Sequence, residues 1–360
     1  MKCEKDARFA LSEHVFRTHY GGGEVFSDTQ IQGYTPQMLK RAYSFDENAL
    51  GDGIRLAVIA AFDNVGIEEN MRVFCEEFSL PVPKMTLHYP YGRTEATSRE
   101  WLVESSLDTQ WAHVFAPHAE IEVVFANDSS VDSLLSSARY ASQELSAHIV
   151  SMSFGADESA RDAALAEFMS ESRCIFVASS GDVGGQVSFP SSSTDCISVG
   201  GTKLVLGENT RRISETAWQN GGGGSSDVFG ISAFQGRFFN IYGETHGMRA
   251  TPDVSMMANF NPGVPSYVSA LGGWTTVGGT SLSCACFAGI CACIKEKNPQ
   301  LETSGDMLSY LYMKAGTVGY ELPQYNFNDI TFGRSGMFLA ETGWDFCTGL
   351  GSPVIKRLLL

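Results

Sequence analysis

The sequence predicts an α/β domain built on a doubly wound parallel sheet with helices on both faces. The chain has 360 residues, which is enough for one large domain with a thick core. Apolar runs of strand length alternate with helical stretches at the spacing of βαβ units, and this alternation makes neighbouring strands parallel. The clearest run spans 54–62 (IRLAVIAAF) and is almost continuously apolar, as expected of a strand buried on both faces.

The other elements follow in chain order. Helices are predicted over 68–78, 98–115, 131–146 and 160–170, and strands over 121–126, 148–153 and 174–178. Glycine and serine cluster through 181–280, where we expect long surface loops, and an apolar helix starts at Ser281. In such sheets ligands bind beyond the carboxyl ends of the strands, so a functional site is expected at that edge.

The acidic charge balance limits the classes of partner. The formal net charge is −16, which disfavours a nucleic-acid partner because that partner requires a basic surface. No segment approaches the ~18 consecutive apolar residues of a membrane span, so no membrane partner is expected. The first residues lack the apolar core of a signal peptide, which leaves a cytoplasmic location open.

Nine cysteines are present, and four of them fall within one apolar stretch: Cys284, Cys286, Cys291 and Cys293. On a helix the first and third share one face, while the second and fourth lie about 200° away. The four thiols therefore cannot converge on one metal ion. We interpret them as small buried apolar side chains.

Ser281 is the candidate nucleophile. It lies where GGTSLSCACFAGI passes from a tight glycine turn into the apolar helix. At a helix start the backbone N–H groups and the helix dipole favour negative charge developing beside the hydroxyl. The alternative is that Thr280 or Ser281 only caps the helix. The usual base is histidine, but His113, His118 and His246 are more typical of surface or structurally satisfied positions.

Three carboxyl groups are better placed to act with this serine. Glu104 and Asp108 are four apart on a predicted helix, so their Cβ atoms lie ~5–6 Å apart on one face. Two acids at that distance resist double ionisation, which raises one pKa and provides a carboxyl base at acidic pH. Asp182 follows the fourth strand in SSGDVGG and, if protonated, could donate to an oxyanion. The alternatives are a solvated acidic helix face and an Asx turn.

Ordered motifs give these residues a family context. Between residues 34 and 353 the chain contains ESSLDTQWAHVFAPHAEI, IVSMSFG, VASSGDVGG, ETAWQNGGGGSS, PDVS, VGGTS, FNDIT and GWDFCTGLGSP. In this set and order the chain resembles the sedolisins, or serine-carboxyl peptidases, and among them the kumamolisin-like members. The resemblance implies a subtilisin-like fold and a catalytic set of Glu104, Asp108, Asp182 and Ser281.

The function implied is hydrolysis of peptide bonds through an acyl-enzyme, as an endopeptidase with an acidic pH optimum. The substrate would be a peptide or protein lying beside the 221–224 loop, and the enzyme a monomer. Two alternatives stay open: a peptide-binding relative without catalysis, and a neutral-pH atypical intracellular peptidase that would need a histidine beside Ser281.

The resemblance also implies one structural Ca²⁺ near the C-terminus. Its ligands would be the carboxylates of Asp329 and Asp345 with the carbonyls of Ile330, Glu341 and Gly343, an all-oxygen set that suits a hard cation. Glu341 replaces a glycine of the family, but that position contributes only its carbonyl.

The domain organisation follows from where the resemblance begins. We interpret residues 1–32 as an N-terminal arm or the remnant of a pro-segment, and 33–360 as a peptidase domain with a C-terminal calcium site.

Overall fold

The computed structural model describes residues 8–9, 31–237, 239–316 and 326–360. The strands within these ranges are β1 (Arg8–Phe9), β2 (Arg55–Ala61), β3 (Met85–His88), β4 (Glu120–Ala126), β5 (Ile149–Met152), β6 (Phe154–Asp157), β7 (Ile175–Ser179), β8 (Ser188–Phe189), β9 (Ile197–Leu206), β10 (Arg212–Ala217), β11 (Gly224–Gly230), β12 (Met248–Thr251), β13 (Val254–Met257), β14 (Val264–Val268), β15 (Gly273–Val277), β16 (Phe327–Asn328), β17 (Arg334–Ser335), β18 (Phe338–Leu339) and β19 (Ser352–Pro353). The helices are α1 (Pro36–Ala42), α2 (Ile67–Phe78), α3 (Arg99–Phe115), α4 (Val131–Gln143), α5 (Asp162–Glu171), α6 (Phe239–Thr245), α7 (Thr280–Lys297), α8 (Ser304–Ala315) and α9 (Ile355–Leu358).

The central sheet confirms the predicted doubly wound parallel architecture. Its strands lie in the order β10-β9-β7-β5-β2-β4-β3, and β13 also pairs with β9. Every pair is parallel except β10 with β9. Residues 56–61 of β2 are all buried, which explains why this strand is apolar at successive positions. Helices cover both faces, as the sequence predicted.

The predicted boundaries agree with the observed ones to within a few residues, but two parts of the sheet were missed. The edge strand β3 is only partly buried and four residues long, so it has no continuous apolar run to reveal it. The prediction of long surface loops over 181–280 is wrong, because β8 to β15 lie there.

Close packing explains why these strands are rich in glycine. A Cβ on Gly200 would lie 2.7 Å from Cγ of Pro252, and a Cβ on Gly201 would lie 2.7 Å from Cβ of Ala258. Both glycines belong to β9, where neighbouring segments approach too closely for a side chain. The apolar pattern that normally marks a strand is therefore absent from the sequence.

The long helix α7 runs through the core and is buried over residues 280–294 on all sides. It packs against α3 and against β5, β7, β9 and β13. Its four cysteines are buried free thiols, in agreement with their interpretation as apolar side chains. None of the helices in the described ranges has the length and apolar character needed to cross a bilayer.

The N-terminal arm predicted over 1–32 lies almost entirely outside the described residues. Its described part includes β1, whose backbone pairs antiparallel with Phe154 and Gly155 of β6. The assignment of the arm as a separate unit stays a prediction.

The approach of α3 to α7 generates a stability prediction at Gly289. A Cβ there would lie 2.5 Å from the carbonyl oxygen of Ala112, a backbone atom that cannot move without shifting α3. Although alanine has the higher helix propensity, we expect Gly289→Ala to destabilise the fold by about 1–3 kcal/mol through overpacking. Thermal unfolding followed by circular dichroism measures the change.

Gly305 provides the matched control, because it is also helical and a Cβ there would meet only Oγ1 of Thr303, at 3.7 Å. Gly305→Ala should leave the unfolding temperature unchanged or raise it. Equal effects of the two substitutions would contradict the proposed clash.

Candidate active site

The start of α7 presents Ser281 at the carboxyl edge of the sheet. Gly279 precedes the helix with φ 88°, a left-handed conformation that favours glycine. Ser281 then occupies the first helical turn, where backbone N–H groups have no helical acceptor. Its side chain is completely buried. A buried serine at this position has both a hydroxyl and a favourable local dipole for anion stabilisation.

The acidic pair lies on α3, one turn apart, as predicted. Glu104 and Asp108 are 0% and 1% exposed, so the alternative of a solvated acidic face is excluded. The hydroxyl of Ser153, just beyond the end of β5, donates to Oδ1 of Asp108 at 2.8 Å. Burial raises the pKa of both carboxyls well above the usual range, and the neighbouring Asp108 raises that of Glu104 further.

Glu104 and Ser281 face each other. The Ser281 hydroxyl lies beside the Glu104 carboxyl and lowers its pKa, against the larger effect of burial. Among the described residues, however, neither carboxyl oxygen of Glu104 nor Oγ of Ser281 has a hydrogen-bond partner of standard geometry. We interpret the pair as close but misaligned, an arrangement common in catalytic sites without substrate.

Asp182 contacts the first residue of α7. It follows β7, and its Oδ1 accepts hydrogen bonds from the backbone N–H and the hydroxyl of Thr280, both at 2.8 Å. Its negative charge also raises the pKa of Glu104. The structure therefore gathers Glu104, Asp108, Asp182 and Ser281 at the edge where the parallel sheet predicts a site.

The three histidines considered in the sequence analysis lie elsewhere. The buried His113 bonds through Nε2 to the carbonyl oxygen of Pro81 at 2.6 Å, and His118 pairs with Asp52 at 3.1 Å. His246 is exposed and has φ 52°. Since Oγ of Ser281 has no hydrogen-bond partner among the described residues, none of the described histidines bonds to it.

An open cleft of about 340 Å³ adjoins Asp182. It is lined by residues 155–157, 180–183 and 186–188. The 221–224 loop packs directly against this region, since a Cβ on Gly222 would lie only 2.0 Å from the carbonyl oxygen of Ser180. The loop and the start of α7 both border this cleft, the loop through Ser180 and the helix through the contact of Thr280 with Asp182.

The sequence missed two supporting residues, Ser153 and Thr280. Their partners, Asp108 and Asp182, are 45 and 98 positions away in the chain. No local pattern encodes such contacts. The signal in the sequence is that Ser153 lies in the motif IVSMSFG and Thr280 in VGGTS, where Thr280 was expected at most to cap the helix.

The predicted calcium ligands come together in two loops near the C-terminus. Oδ2 of Asp329 accepts from the N–H of Gly343 at 3.0 Å, and Oδ2 of Asp345 accepts from the N–H of Glu341 at 2.9 Å. Oδ1 of Asp329 is buried without a hydrogen-bond partner in the described part of the chain. A buried carboxyl oxygen without a donor is costly, and a hard cation would satisfy it, so these residues fit Ca²⁺. Ile330 is buried beside them.

The parallel sheet, the buried serine at the start of α7 and the acidic pair on α3 define a subtilisin-like α/β domain. The model of the subtilase family, Peptidase S8, matches residues 103–346. The chain belongs to the subtilase family of serine peptidases, and its similar proteins place it among the kumamolisin-like sedolisins.

Three characterised relatives support this assignment. Kumamolisin from Bacillus sp. (strain MN-32) is 30% identical over 363 aligned positions, which cover 91% of this chain and 63% of the relative. Tripeptidyl-peptidase sed1 from Aspergillus fumigatus is 32% identical over 206 positions, and sedolisin from Pseudomonas sp. (strain 101) is 29% identical over 178; each match covers 48% of this chain and 30% of the relative. The chain thus spans less than two thirds of the length of these relatives.

Solved structures show the same fold. Pseudomonas sedolisin, a serine-carboxyl proteinase complexed with two molecules of pseudo-iodotyrostatin, superposes with a TM-score of 0.79 at 22% identity, covering 92% of this chain and 98% of its own. Sphericase gives a TM-score of 0.59 at 18% identity, with 91% and 98% covered. The subtilisin-like fold expected from the motifs is confirmed.

The buried acidic pair generates a prediction on stability. For Glu104 and Asp108 the folded pKa exceeds the unfolded value, so between these values the native state binds more protons than the unfolded chain. Stability is then highest below the unfolded pKa and falls as the pH rises towards the folded pKa. We expect the double variant Glu104→Gln, Asp108→Asn to unfold several degrees above wild type at about pH 7 and at the same temperature at about pH 4.

Calorimetry across this pH range provides the measurement. Burial also raises the pKa of Asp345, to about 6, but that group is unchanged and affects both proteins equally. An identical pH dependence of the unfolding temperature in the two proteins would show that the pair is not held neutral by the fold.

Proposed function

We propose that this protein is a serine-carboxyl endopeptidase that works best in acid. The observation that supports the proposal is the burial of Glu104 and Asp108, with Ser281 and Asp182 beside Glu104. Burying these acids lowers the stability of the fold. Acids that are nevertheless buried near a serine hydroxyl can pass protons to and from that hydroxyl. The names of the relatives, which include a tripeptidyl-peptidase, support peptidase activity but leave the exopeptidase alternative open.

In the proposed mechanism, Oγ of Ser281 attacks the scissile carbonyl carbon while Glu104 accepts the hydroxyl proton. Asp108 shares a proton with Glu104 and orients it. Glu104 returns the proton to the leaving amine as the C–N bond breaks, which leaves an acyl group on Ser281. A water molecule then gives its proton to Glu104 and attacks the acyl carbon, and the proton returns to Ser281 as the acid product leaves.

Asp182 and the backbone N–H of Ser281 would stabilise the oxyanion. Thr280 holds Oδ1 of Asp182 with two hydrogen bonds, which fixes the orientation of the carboxyl that would donate its proton to the substrate oxygen. A carboxyl can donate only when it is neutral. The role of Asp182 therefore requires acidic conditions, and this sets the alkaline limit of the proposed activity.

The pH profile of peptide cleavage tests this proposal. Wild type should be most active in acid and lose activity towards neutral pH, while Ser281→Ala should have no detectable activity. Asp182→Asn should extend the alkaline limb, because an amide accepts from Thr280 through Oδ1 and donates through Nδ2 at every pH. Asp182→Ala, which removes the donor, should lower kcat by about 10²–10³-fold.

Three results would decide against it. The first is full activity of wild type at about pH 7.5, lost in Ser281→Ala, together with an alkaline limb of the pH profile that is the same in Asp182→Asn as in wild type. That result would favour the neutral-pH peptidase. Binding of peptides without cleavage at any pH would favour the non-catalytic relative. Release of tripeptides from free N-termini, without internal cleavage, would replace endopeptidase by exopeptidase action.

We further propose one structural Ca²⁺ in the C-terminal loops. The carboxylates of Asp329 and Asp345 and the carbonyls of Ile330, Glu341 and Gly343 would hold it. The ion would neutralise the carboxylates of the buried Asp345 and the partly buried Asp329. It would also link two loops that the N–H of Gly343 joins through Oδ2 of Asp329. The peptide groups of these loops lie near the β17–β18 hairpin, whose Ser335 hydroxyl donates to the carbonyl of Gly221.

Calcium binding should stabilise the wild-type fold by mass action. A chelator should lower the unfolding temperature of wild type by several degrees, and Asp329→Asn should unfold at the lower temperature with or without calcium. Asn keeps an acceptor for the N–H of Gly343, so the loop contact itself survives. Asp132→Asn, at an exposed aspartate on α4, should respond to the chelator like wild type. No chelator effect on wild type would remove the site from the proposal.

A further inference from the structure

We propose that Ser153 is a positioning residue for the acidic pair: its hydrogen bond to Asp108 favours the singly protonated pair and so sets the acidic limit of the proposed activity. The inference rests on the proposed function, because it concerns the protons that Glu104 and Asp108 exchange with the nucleophile. It goes beyond that function by assigning the two limbs of the pH profile to different side chains.

The acidic pair receives one hydrogen bond of standard geometry from the described residues. Both carboxyl oxygens of Glu104 and Oδ2 of Asp108 are buried without a hydrogen-bond partner in that part of the chain. Oδ1 of Asp108 is the exception, because it accepts from the hydroxyl of Ser153 at 2.8 Å. Buried carboxylates lack the water that stabilises an exposed one, so a negative charge on this pair depends strongly on a single donor.

The central sheet holds Ser153 in place. This residue lies between β5 and β6 and is 1% exposed. β5 is paired with β2 on one side and with β7 on the other, so the backbone that carries the hydroxyl cannot move without disturbing two strand pairs. Ser153 is not among the described residues that line the cleft. It therefore acts on the acidic pair and not on the substrate.

The titratable groups that face the pair do not offset its negative charge. Asp182 faces Glu104, and its charge disfavours a second charge there. The thiols of Cys284 and Cys286 on α7 lie within electrostatic reach of Asp108, but burial raises the pKa of both, that of Cys284 to about 12, so they stay neutral. Within the described ranges, no lysine, arginine or histidine shifts the pKa of either acid. Donation by a hydroxyl is thus the main compensation for a charge on Asp108.

The direction of the effect follows from the form of the pair that can accept a proton. In the proposed mechanism Glu104 takes the proton of Ser281 while it shares another with Asp108, so the active pair carries one negative charge. A second proton on the pair leaves no base, and this sets the acidic limit. A hydrogen bond to a carboxylate is stronger than one to a neutral carboxyl. Burial raises the pKa of Asp108, and the hydrogen bond from Ser153 lowers it against this larger effect.

The pH profile of peptide cleavage by Ser153→Ala tests the proposal. Loss of the donor should move the acidic limb of kcat/KM to higher pH by about one to two units, as expected for a hydrogen bond to a charged group. The alkaline limb should keep its wild-type position, because it belongs to Asp182 in the proposed mechanism. KM at the pH of highest activity should also be unchanged, because Ser153 does not line the cleft.

Ser151→Ala is the matched control. Ser151 is also buried and belongs to β5, but its hydroxyl meets Sγ of Cys284, at 3.6 Å, instead of a carboxyl group. Each substitution removes one buried hydroxyl from the same segment, so a purely structural effect should appear in both. We expect Ser151→Ala to keep both limbs of the wild-type profile. Equal shifts in the two variants, or a shift of both limbs in Ser153→Ala, would overturn the inference.

Infrared spectroscopy separates this inference from the proposed function, because it requires no cleavage. The carbonyl stretching band of the protonated pair is the difference between the spectrum of each protein and that of its own Glu104→Gln, Asp108→Asn form. This band is followed against pH. In Ser153→Ala the pair should keep its second proton to a higher pH than in wild type, by the same amount as the acidic limb moves. The band in Ser151→Ala should titrate as in wild type.

A titration of this band at higher pH in Ser153→Ala supports the role of Ser153 even if wild type cleaves no peptide. In that case only the proposed catalysis fails. Coincident titrations of wild type and Ser153→Ala overturn the inference whatever the outcome of the cleavage assay.

Discussion

The close packing of α3 on α7 is the constraint on which the candidate site depends. Glu104 faces Ser281, and eight residues further along both helices Ala112 faces Gly289. The two helices therefore run parallel and stay in register over about two turns. A glycine at the crossing brings the backbones close enough for a short carboxylate to reach a serine hydroxyl on the neighbouring helix.

Burial in this interface changes the chemistry of ordinary side chains. An exposed acidic pair would be ionised at neutral pH and a poor partner for a serine. Enclosed among apolar residues, the pair of Glu104 and Asp108 holds protons more strongly, because burial disfavours charge and each charge opposes the other. The same burial reduces stability as the pH rises, so the features on which the proposed catalysis depends also make acidic conditions favourable for the fold.

The glycine-rich segments complete the site by bringing backbone close to backbone. Gly222 packs on Ser180 and Gly184 packs on Gly336. These contacts bring the 221–224 loop, the turn that contains Asp182 and the β17–β18 hairpin into one surface around the cleft. Side chains at these glycines would separate the segments, so the groove is shaped mainly by where side chains are missing.

The sequence by itself determined the parallel sheet, since its buried strands are continuous apolar runs such as that in β2, and it identified Glu104, Asp108, Asp182 and Ser281 from helix spacing and ordered motifs. The tertiary structure decided what depends on distant contacts. Only the fold shows that β9 is a strand despite Gly200 and Gly201 and that Ser153 and Thr280 hold the candidate acids. Periodicity reports which faces of an element are buried, whereas these features depend on which segments meet, and that is set by packing between residues far apart in the chain.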